Sequence, residues 1–320
     1  MKGKKGFLIS ELILVGLTVF FLAKLMWGNS APKMKEVAVI LEDSENEKWT
    51  ALKGGLKAGA SEAGIRLNFI STGSFESAED ETSIVKETLA EGTNGLLVWP
   101  LNGEAEKEIR TLARRTPLAF LGNGHTKKVR TTQNDSRENG KQLAGMILTD
   151  YSSNLSEKHL GVLRSNPADQ SEKELFLGLK EGLKGSGVTF SWELGSASDE
   201  EVTSKISEFR NRTEIIVALD DRQIELSTQM KKNGDLNRAV LYGFGRGMNA
   251  VYQLDEGNLQ GLVFPNDFDM GYEAARSFTA FSKVSLLKES NHKIPVRLLR
   301  MRDLMKKENQ DMLYIISHNL

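Results

Sequence analysis

The four histidines, His125, His159, His292 and His318, fall at no spacing that would let them share a metal ion. The chain has no cysteine. That removes thiolate metal ligands, a cysteine nucleophile, a disulfide framework and a lipid-modified cysteine together. G-x-S-x-G, H-E-x-x-H and P-loop strings are also absent, so serine, zinc-dependent and phosphate-cradling chemistry have no carrier. One string imitates a cofactor motif. GFGRGM, Gly243 to Met248, follows an apolar strand pattern as a dinucleotide fingerprint would, but Met248 stands where a third glycine must let helix and strand pack. The expectation is a protein that recognises rather than catalyses, with no cofactor and no metal.

The elements that must position a recognition site alternate in type. VAVIL (Val37 to Leu41) is a continuous β-branched and aliphatic run, suited to a strand buried on both faces. A helix follows, with Trp49, Leu52, Leu56, Ala60 and Ala63 at helical spacing. RLNFIS (Arg66 to Ser71), a helix through Ile84, Val85 and Leu89, GLLVWP (Gly95 to Pro100), a helix around Ile109 and Leu112, and PLAFLG (Pro117 to Gly122) continue the pattern. An irregular stretch, Asn123 to Asp135, interrupts it. The alternation then resumes through the strands HLGVLRS, VTFSWEL, EIIVALD, RAVLYGF and LQGLVFP, each followed by a helical pattern, and a last strand PVRLLRM precedes an amphipathic tail. Repeated β-α units imply right-handed crossovers and parallel sheets covered on both sides. Two such series in 320 residues predict two doubly wound lobes.

Ahead of this body stands Phe7 to Trp27, an apolar segment preceded by Lys2, Lys4 and Lys5. Basic residues before a first apolar segment stay on the cytoplasmic side, which places the rest of the chain outside the membrane. Two fates are open: an uncleaved transmembrane anchor, or a signal segment cut after Ser30. The bulky end Lys24-Leu25-Met26-Trp27 favours the anchor. Net charge is −1 with charged residues at 27% and mixed in sign, so there is no basic field for nucleic acid.

The blocks VAVILEDSENEKWTALKGGLKAGASEAGIRLNFI, EGTNGLLVWPLN, NDSRENGKQLAGMIL, EIIVALDD, AVLYGFG and LDEGNLQGLVFPNDFDMGYEAA, in that order, resemble the type I periplasmic binding proteins, the ribose-binding and LacI-like sugar-binding superfamily. The resemblance spans roughly Val37 to Met301. It implies two α/β lobes joined by three crossing segments, near Val129 to Asp135, Val263 to Asp267 and before Pro295, with the ligand in the cleft between them. The implied division is 1–30 as cytoplasmic tip and membrane anchor (or signal segment), 31–36 as stalk, 37–130 with 266–288 as one lobe, and 131–265 with 289–320 as the other. The same superfamily includes repressors, which carry a helix-turn-helix where this chain has its export segment; a repressor is excluded on that ground.

The resemblance also nominates ligand-binding residues. Sugar sites combine aromatic faces with carboxylates, amides and guanidiniums that pair with hydroxyls. Trp49 matches a stacking aromatic, or serves as a core contact of the first helix. Asn46 matches a polar contact, or caps that helix. Trp99 ends a strand as a stacking platform, or as core. Asp135 belongs to a block in which Ser136 replaces the usual Asn, and its other role is to fix the hinge or cap a helix. Asp220 corresponds to the acid reaching the ligand from the second lobe, with Asp221 capping the following helix. Asn123, Arg246 and Asn266 are candidate donors, because the sequence departs from the usual sugar clamp: Gly122-Asn123 replaces an Asp-Arg pair, Gly245 replaces an Asp, and Pro265-Asn266 stands near a usual Gln. The implied partners are a sugar-like small molecule and a membrane protein, either an ABC permease that imports the solute or a sensor histidine kinase that reads lobe closure.

Overall fold

The structure is a computed structural model. It describes residues 17–19, 34–122, 130–133, 135–165, 169–195, 198–209, 211–236, 238–278 and 291–317. The chain divides into two units, Met1–Lys35 and Glu36–Leu320. In the first, residues 17–19 are helical and exposed; the rest of the expected anchor, Phe7 to Trp27, lies outside the described residues. Among the described residues no helix is long and apolar enough to cross a membrane.

In the larger unit the described strands form two sheets. The first contains β1 (Lys35–Ile40), β2 (Ile65–Phe69), β3 (Gly95–Val98), β4 (Leu118–Leu121), β5 (Arg130–Gln133) and β11 (Asn291–Lys293), in the order β11-β5-β4-β3-β1-β2. The second contains β6 (His159–Arg164), β7 (Thr189–Gly195), β8 (Ile215–Ala218), β9 (Val240–Phe244), β10 (Gly261–Pro265) and β12 (Val296–Leu299), in the order β12-β10-β9-β8-β6-β7. Pairing from β1 through β3 and β4 to β5 and β11 is parallel, as is pairing among β6 to β10, while β12 runs antiparallel to β10. β3 (GLLV), β4 (LAFL) and β8 (IIVA) are buried at every position. Helices cover both faces of such a sheet, so no position along these strands can be polar without cost.

The first sheet is covered by α1 (Thr50–Ala63), α2 (Ala78–Ala90), α3 (Gly103–Leu112) and α9 (Asp267–Arg276); the second by α4 (Ser136–Asp150), α5 (Gln170–Gly182), α6 (Asp199–Phe209), α7 (Asp221–Lys232) and α8 (Met248–Asp255). Alternate residues of β1 serve the two faces: Val37 and Val39 pack under α1 and α9, whereas Ala38 and Ile40 pack under α2 and α3. Each lobe has one helix pair in unusually close contact. A Cβ on Gly55 of α1 would sit 1.9 Å from the Phe268 carbonyl oxygen, and one on Gly271 of α9 would sit 2.3 Å from that of Leu52. In the other lobe, a Cβ on Gly178 of α5 would sit 1.9 Å from the Arg137 oxygen, and one on Gly140 of α4 would sit 2.0 Å from that of Leu175. Glycine is required where backbones touch in this way.

The chain passes between sheets at Asp135, which joins β5 to α4, at Asn266, which joins β10 to α9, and at Ile294-Pro295, which joins β11 to β12. Two strands lie where the sequence offered no strand pattern. β5 (RTTQ) falls in the stretch expected to be irregular, and β11 (NHK) is short and polar. Both form at one edge of the first sheet, β5 by pairing with β4 and β11 by pairing with β5, so neighbours rather than an apolar run create them. The boundary expected between residues 130 and 131 therefore cuts through β5, and β11 joins the first sheet rather than the second. The helix expected from Asp269 begins at Asp267, because Asn266 caps it by accepting from the Asp269 amide. The C-terminal α10 (Lys307–Ser317) touches α1 on one lobe and α8 on the other.

Candidate ligand-binding cleft

A cavity of about 680 Å³, its open mouth included, lies between the lobes at the C-terminal ends of the central strands. On the first lobe its described wall is Glu42, Lys48, Trp49, Trp99 and Leu101. Glu42 to Trp49 follow β1 and are shaped by a local network. Asp43 adopts a left-handed φ of 45° and its carboxylate accepts from the Asn46 side-chain amide at 2.9 Å; the Asn46 oxygen in turn caps the short turn Glu47–Trp49 by accepting from the Lys48 amide at 3.0 Å. That turn drives Trp49 inward. It is 3% exposed, and its indole Nε1 donates to the Glu42 carbonyl at 2.7 Å. Trp99, at the end of β3, is 6% exposed, and its ring lies 4.9 Å from that of Trp49, tilted by 58°. Gly122 makes room for it: a Cβ there would meet the Trp99 ring at 2.6 Å. Both indoles belong to the first lobe's core and present only part of their surface to the cavity.

The second lobe contributes carboxylates. Asp169 caps α5 through the Ser171 amide at 2.7 Å, and burial raises its pKa, with Lys48 the main opposing charge. Glu172, one turn into α5, accepts from the Ser165 amide at 2.8 Å. Asp220 caps α7: its Oδ1 accepts from the Gln223 amide at 2.9 Å. Its Oδ2 is buried and has no hydrogen-bond partner among the described residues. Asp221 does not cap α7, as the sequence suggested. Its carboxylate turns across to the start of α8, where it accepts from the Arg246 amide at 2.9 Å and the Gly247 amide at 2.9 Å. Burial raises its pKa and these two amides pull against that rise. Its Oδ1 lies 2.9 Å from where a Cβ on Gly245 would stand, so the glycine leaves space for the neighbouring acid.

Arg246 joins the walls. Its guanidinium carbon stands 4.7 Å from the Trp99 ring centre, and its Nη1 donates to both Asp267 oxygens, at 2.7 and 2.5 Å. Asp267 is 1% exposed at the start of α9, which packs in the first lobe. A backbone bond from the Gln170 amide to the Leu101 carbonyl, 3.1 Å, also spans the cleft. The lobes are therefore drawn together.

Of the eight residues nominated from sequence, Trp49, Trp99, Asp220 and Arg246 meet at this cavity. Asn46 is exposed and caps the turn before Trp49. Asp135 caps α4 through the Glu138 amide at 3.1 Å, and its Oδ2 accepts from Lys293 of β11 at 2.9 Å, which ties two crossing segments together. Burial acts to raise its pKa, but the Lys293 bond and the Glu138 amide prevail and lower it. Asn266 caps α9. These three are not among the described lining residues, and their side chains are engaged by backbone amides at helix or turn starts. Asn123 lies outside the described residues. Sequence reasoning missed Glu42, Lys48, Leu101, Ser136, Asp169, Ser171, Glu172 and Phe244 in the wall. Glu42 was signalled only by its place directly after a buried strand. Asp169 and Glu172 carry no signal in the sequence beyond their place ahead of the helical pattern Leu175, Leu179 and Leu183.

No curated protein matches the sequence. Among solved structures, a carbohydrate transporter solute-binding protein from Agrobacterium radiobacter in complex with D-arabinose superposes with a TM-score of 0.77 at 14% identity, over 88% of this chain and 99% of that one. GanP, a glucose-galactose binding protein from Geobacillus stearothermophilus, gives 0.73 at 13% identity over 86% of this chain and all of that one. The XylFII-LytSN complex gives 0.73 at 16% identity over 85% and 100%. At these identities the likeness is one of fold. The family described as "Periplasmic binding protein domain" matches residues 37–283, most of the chain. Two wound parallel sheets, a cleft at their strand ends and that match make this chain a member of the periplasmic binding protein family, whose members bind solutes and are not enzymes.

Proposed function

We propose that the chain is an extracytoplasmic solute-binding protein that closes its lobes on a sugar or similar polar small molecule and presents it for ABC-type import. The observation that carries this reading is the cavity itself: an aromatic wall on one lobe faces a carboxylate wall on the other, and the Asp220 Oδ2 within it is buried without a partner among the described residues. A buried carboxylate oxygen left unsatisfied costs free energy that a ligand hydroxyl or amine would recover. The fold neighbours bound to D-arabinose or described as glucose-galactose binding support a carbohydrate-like solute. Thermal unfolding of the full-length chain with a panel of sugars and polyols tests it. A ligand at a hundred times its Kd should add about 2.7 kcal/mol of stability. If no polar solute shifts the transition, the reading fails.

A second reading is a receptor whose closure is sensed by a membrane kinase. Two observations favour it: the likeness to the XylFII-LytSN complex, and the segment Phe7 to Trp27, which as an uncleaved anchor would hold the body beside a partner in the same membrane. Sequencing the mature N-terminus tests the anchor. A start at Ala31 would mean the segment is removed.

A further inference from the structure

We infer that the solute this cleft selects carries a protonated amine on a polyhydroxylated frame, an amino sugar rather than a neutral or acidic one. The inference rests on the solute-binding reading above and names its ligand class. Five carboxylates line the cavity, Glu42, Asp169, Glu172, Asp220 and Asp221, against two cations, Lys48 and Arg246. Arg246 offsets the excess only in part: its charge acts on Asp169 and Asp221, but its guanidinium is also paired with Asp267 outside the wall and stacked on Trp99. Lys48, 5.0 Å from the Trp49 ring on the first lobe, opposes Asp169, and Glu172 is paired with Arg164 outside the wall at 3.7 Å, so Asp220 and Asp221 are the second-lobe acids with least compensation. The remaining negative field is concentrated on the second lobe. There Asp220 lines the cavity, and its Oδ2 is buried with no partner among the described residues, an acceptor whose donor is unmet.

The same wall disfavours anions. Two helices, α5 and α7, begin at this cleft, and helix starts ordinarily attract negative groups through free amides. Here Asp169 and Asp220 occupy those amides, and Asp221 takes the Arg246 and Gly247 amides at the start of α8. An acidic sugar would find carboxylates where amides would otherwise wait. Among the described residues no group of acids or histidines converges as metal ligands would. Carboxylates spread along one wall, with indole and guanidinium opposite, suit an extended ligand with its amine at Asp220 and its ring towards Trp49 and Trp99. Burial raises the pKa of Asp169 and of Asp221, with Lys48 and Arg246 acting against the rise at Asp169 and Arg246 acting against it at Asp221.

Calorimetric titration of the full-length chain with D-glucosamine, D-galactosamine, D-glucose, D-galactose and D-glucuronate tests this. An amino sugar should bind at least about tenfold more tightly than its neutral parent, glucuronate should bind more weakly than both, and Asp220→Asn should abolish the preference for the amine. Far-UV circular dichroism of the variant keeps a folding defect from being mistaken for lost binding. Equal or tighter binding of the neutral parent, or tightest binding of glucuronate, would overturn the amine assignment while leaving sugar binding intact. Binding by none of the five to a folded chain would overturn the amine assignment and count against a carbohydrate solute as well.

Discussion

At Asp220, a cleft residue, one oxygen caps α7 and the other is buried without a partner among the described residues, so its removal touches two properties at once. Asp220→Ala is expected to cost about 0.5–2 kcal/mol of stability as a lost N-cap, and to weaken any ligand that donates to Oδ2. Trp49 is the reverse case. With 3% exposure, an indole bond to Glu42 and a neighbour at Trp99, it is core first and wall second. Trp49→Ala should therefore lose about 3–5 kcal/mol, and chemical denaturation showing less than about 1 kcal/mol would contradict that placement. Glu81 in α2 adds a pH effect. It is fully buried, its Oε2 accepts from the Leu101 amide at 2.9 Å, and burial, with Glu42 and Asp169 nearby, pushes its pKa up to about 8 from 4.5. The folded state then keeps a proton that the unfolded chain has released. This contribution is fully present below about pH 4.5 and is lost as pH rises through about 8, at up to about 1.4 kcal/mol per pH unit. Glu81→Gln should flatten that decline; an unchanged slope would place the titration elsewhere.

Between elements, the two glycine-mediated helix contacts set how closely helices can cover each sheet. A methyl group on Gly55 or Gly178 meets a carbonyl oxygen at 1.9 Å and cannot be absorbed by a side chain turning away. Gly55→Ala and Gly178→Ala should each destabilise by about 1–3 kcal/mol or more, although alanine is the better helix former. Gly145, in the middle of α4 with no atom within 4 Å of where its Cβ would stand, provides the control. There Gly145→Ala should gain about 0.5–1 kcal/mol. If all three variants gain stability, the helices are not in backbone contact. The bond between Asp135 and Lys293 is an exposed pair, with side chains 40% and 66% accessible, and its loss is expected to change stability by less than about 1 kcal/mol.

For the molecule as a whole, Arg246 is a side chain that links the lobes across the cleft. Its pairing with Asp267 is nearly dry, at 10% and 1% side-chain exposure, and its stacking reaches Trp99. Lobe closure in this family's fold is a hinge equilibrium that such a contact can bias. Arg246→Ala should open the unliganded chain, read as a larger radius of gyration by small-angle scattering, and a saturating ligand should restore the smaller value. Identical scattering of parent and variant without ligand would show that the Gln170 to Leu101 bond and the C-terminal helix suffice to hold the lobes together.

The two-lobed α/β architecture was legible in the sequence because strands buried on both faces must be uninterrupted apolar runs, and helices covering them must show a 3.6-residue period. VAVIL, GLLVWP and EIIVALD satisfy the first demand and leave little alternative. β5 and β11 were not legible, since RTTQ and NHK carry no such run and become strands only at the edge that β4 provides. At the cleft, Trp49, Trp99, Asp220 and Arg246 stood out because they follow strands at the end where such folds bind ligands. Which polar side chains remain available there was decided by tertiary structure. Asn46, Asp135 and Asn266 are consumed as caps, the cap of α7 comes from Asp220 while Asp221 is spent on the amides of Arg246 and Gly247, and Asp169 and Glu172 arrive from a distant helix. A side chain's type determines what it can bond, but only the backbone amides and charges brought beside it determine whether that capacity is already spent.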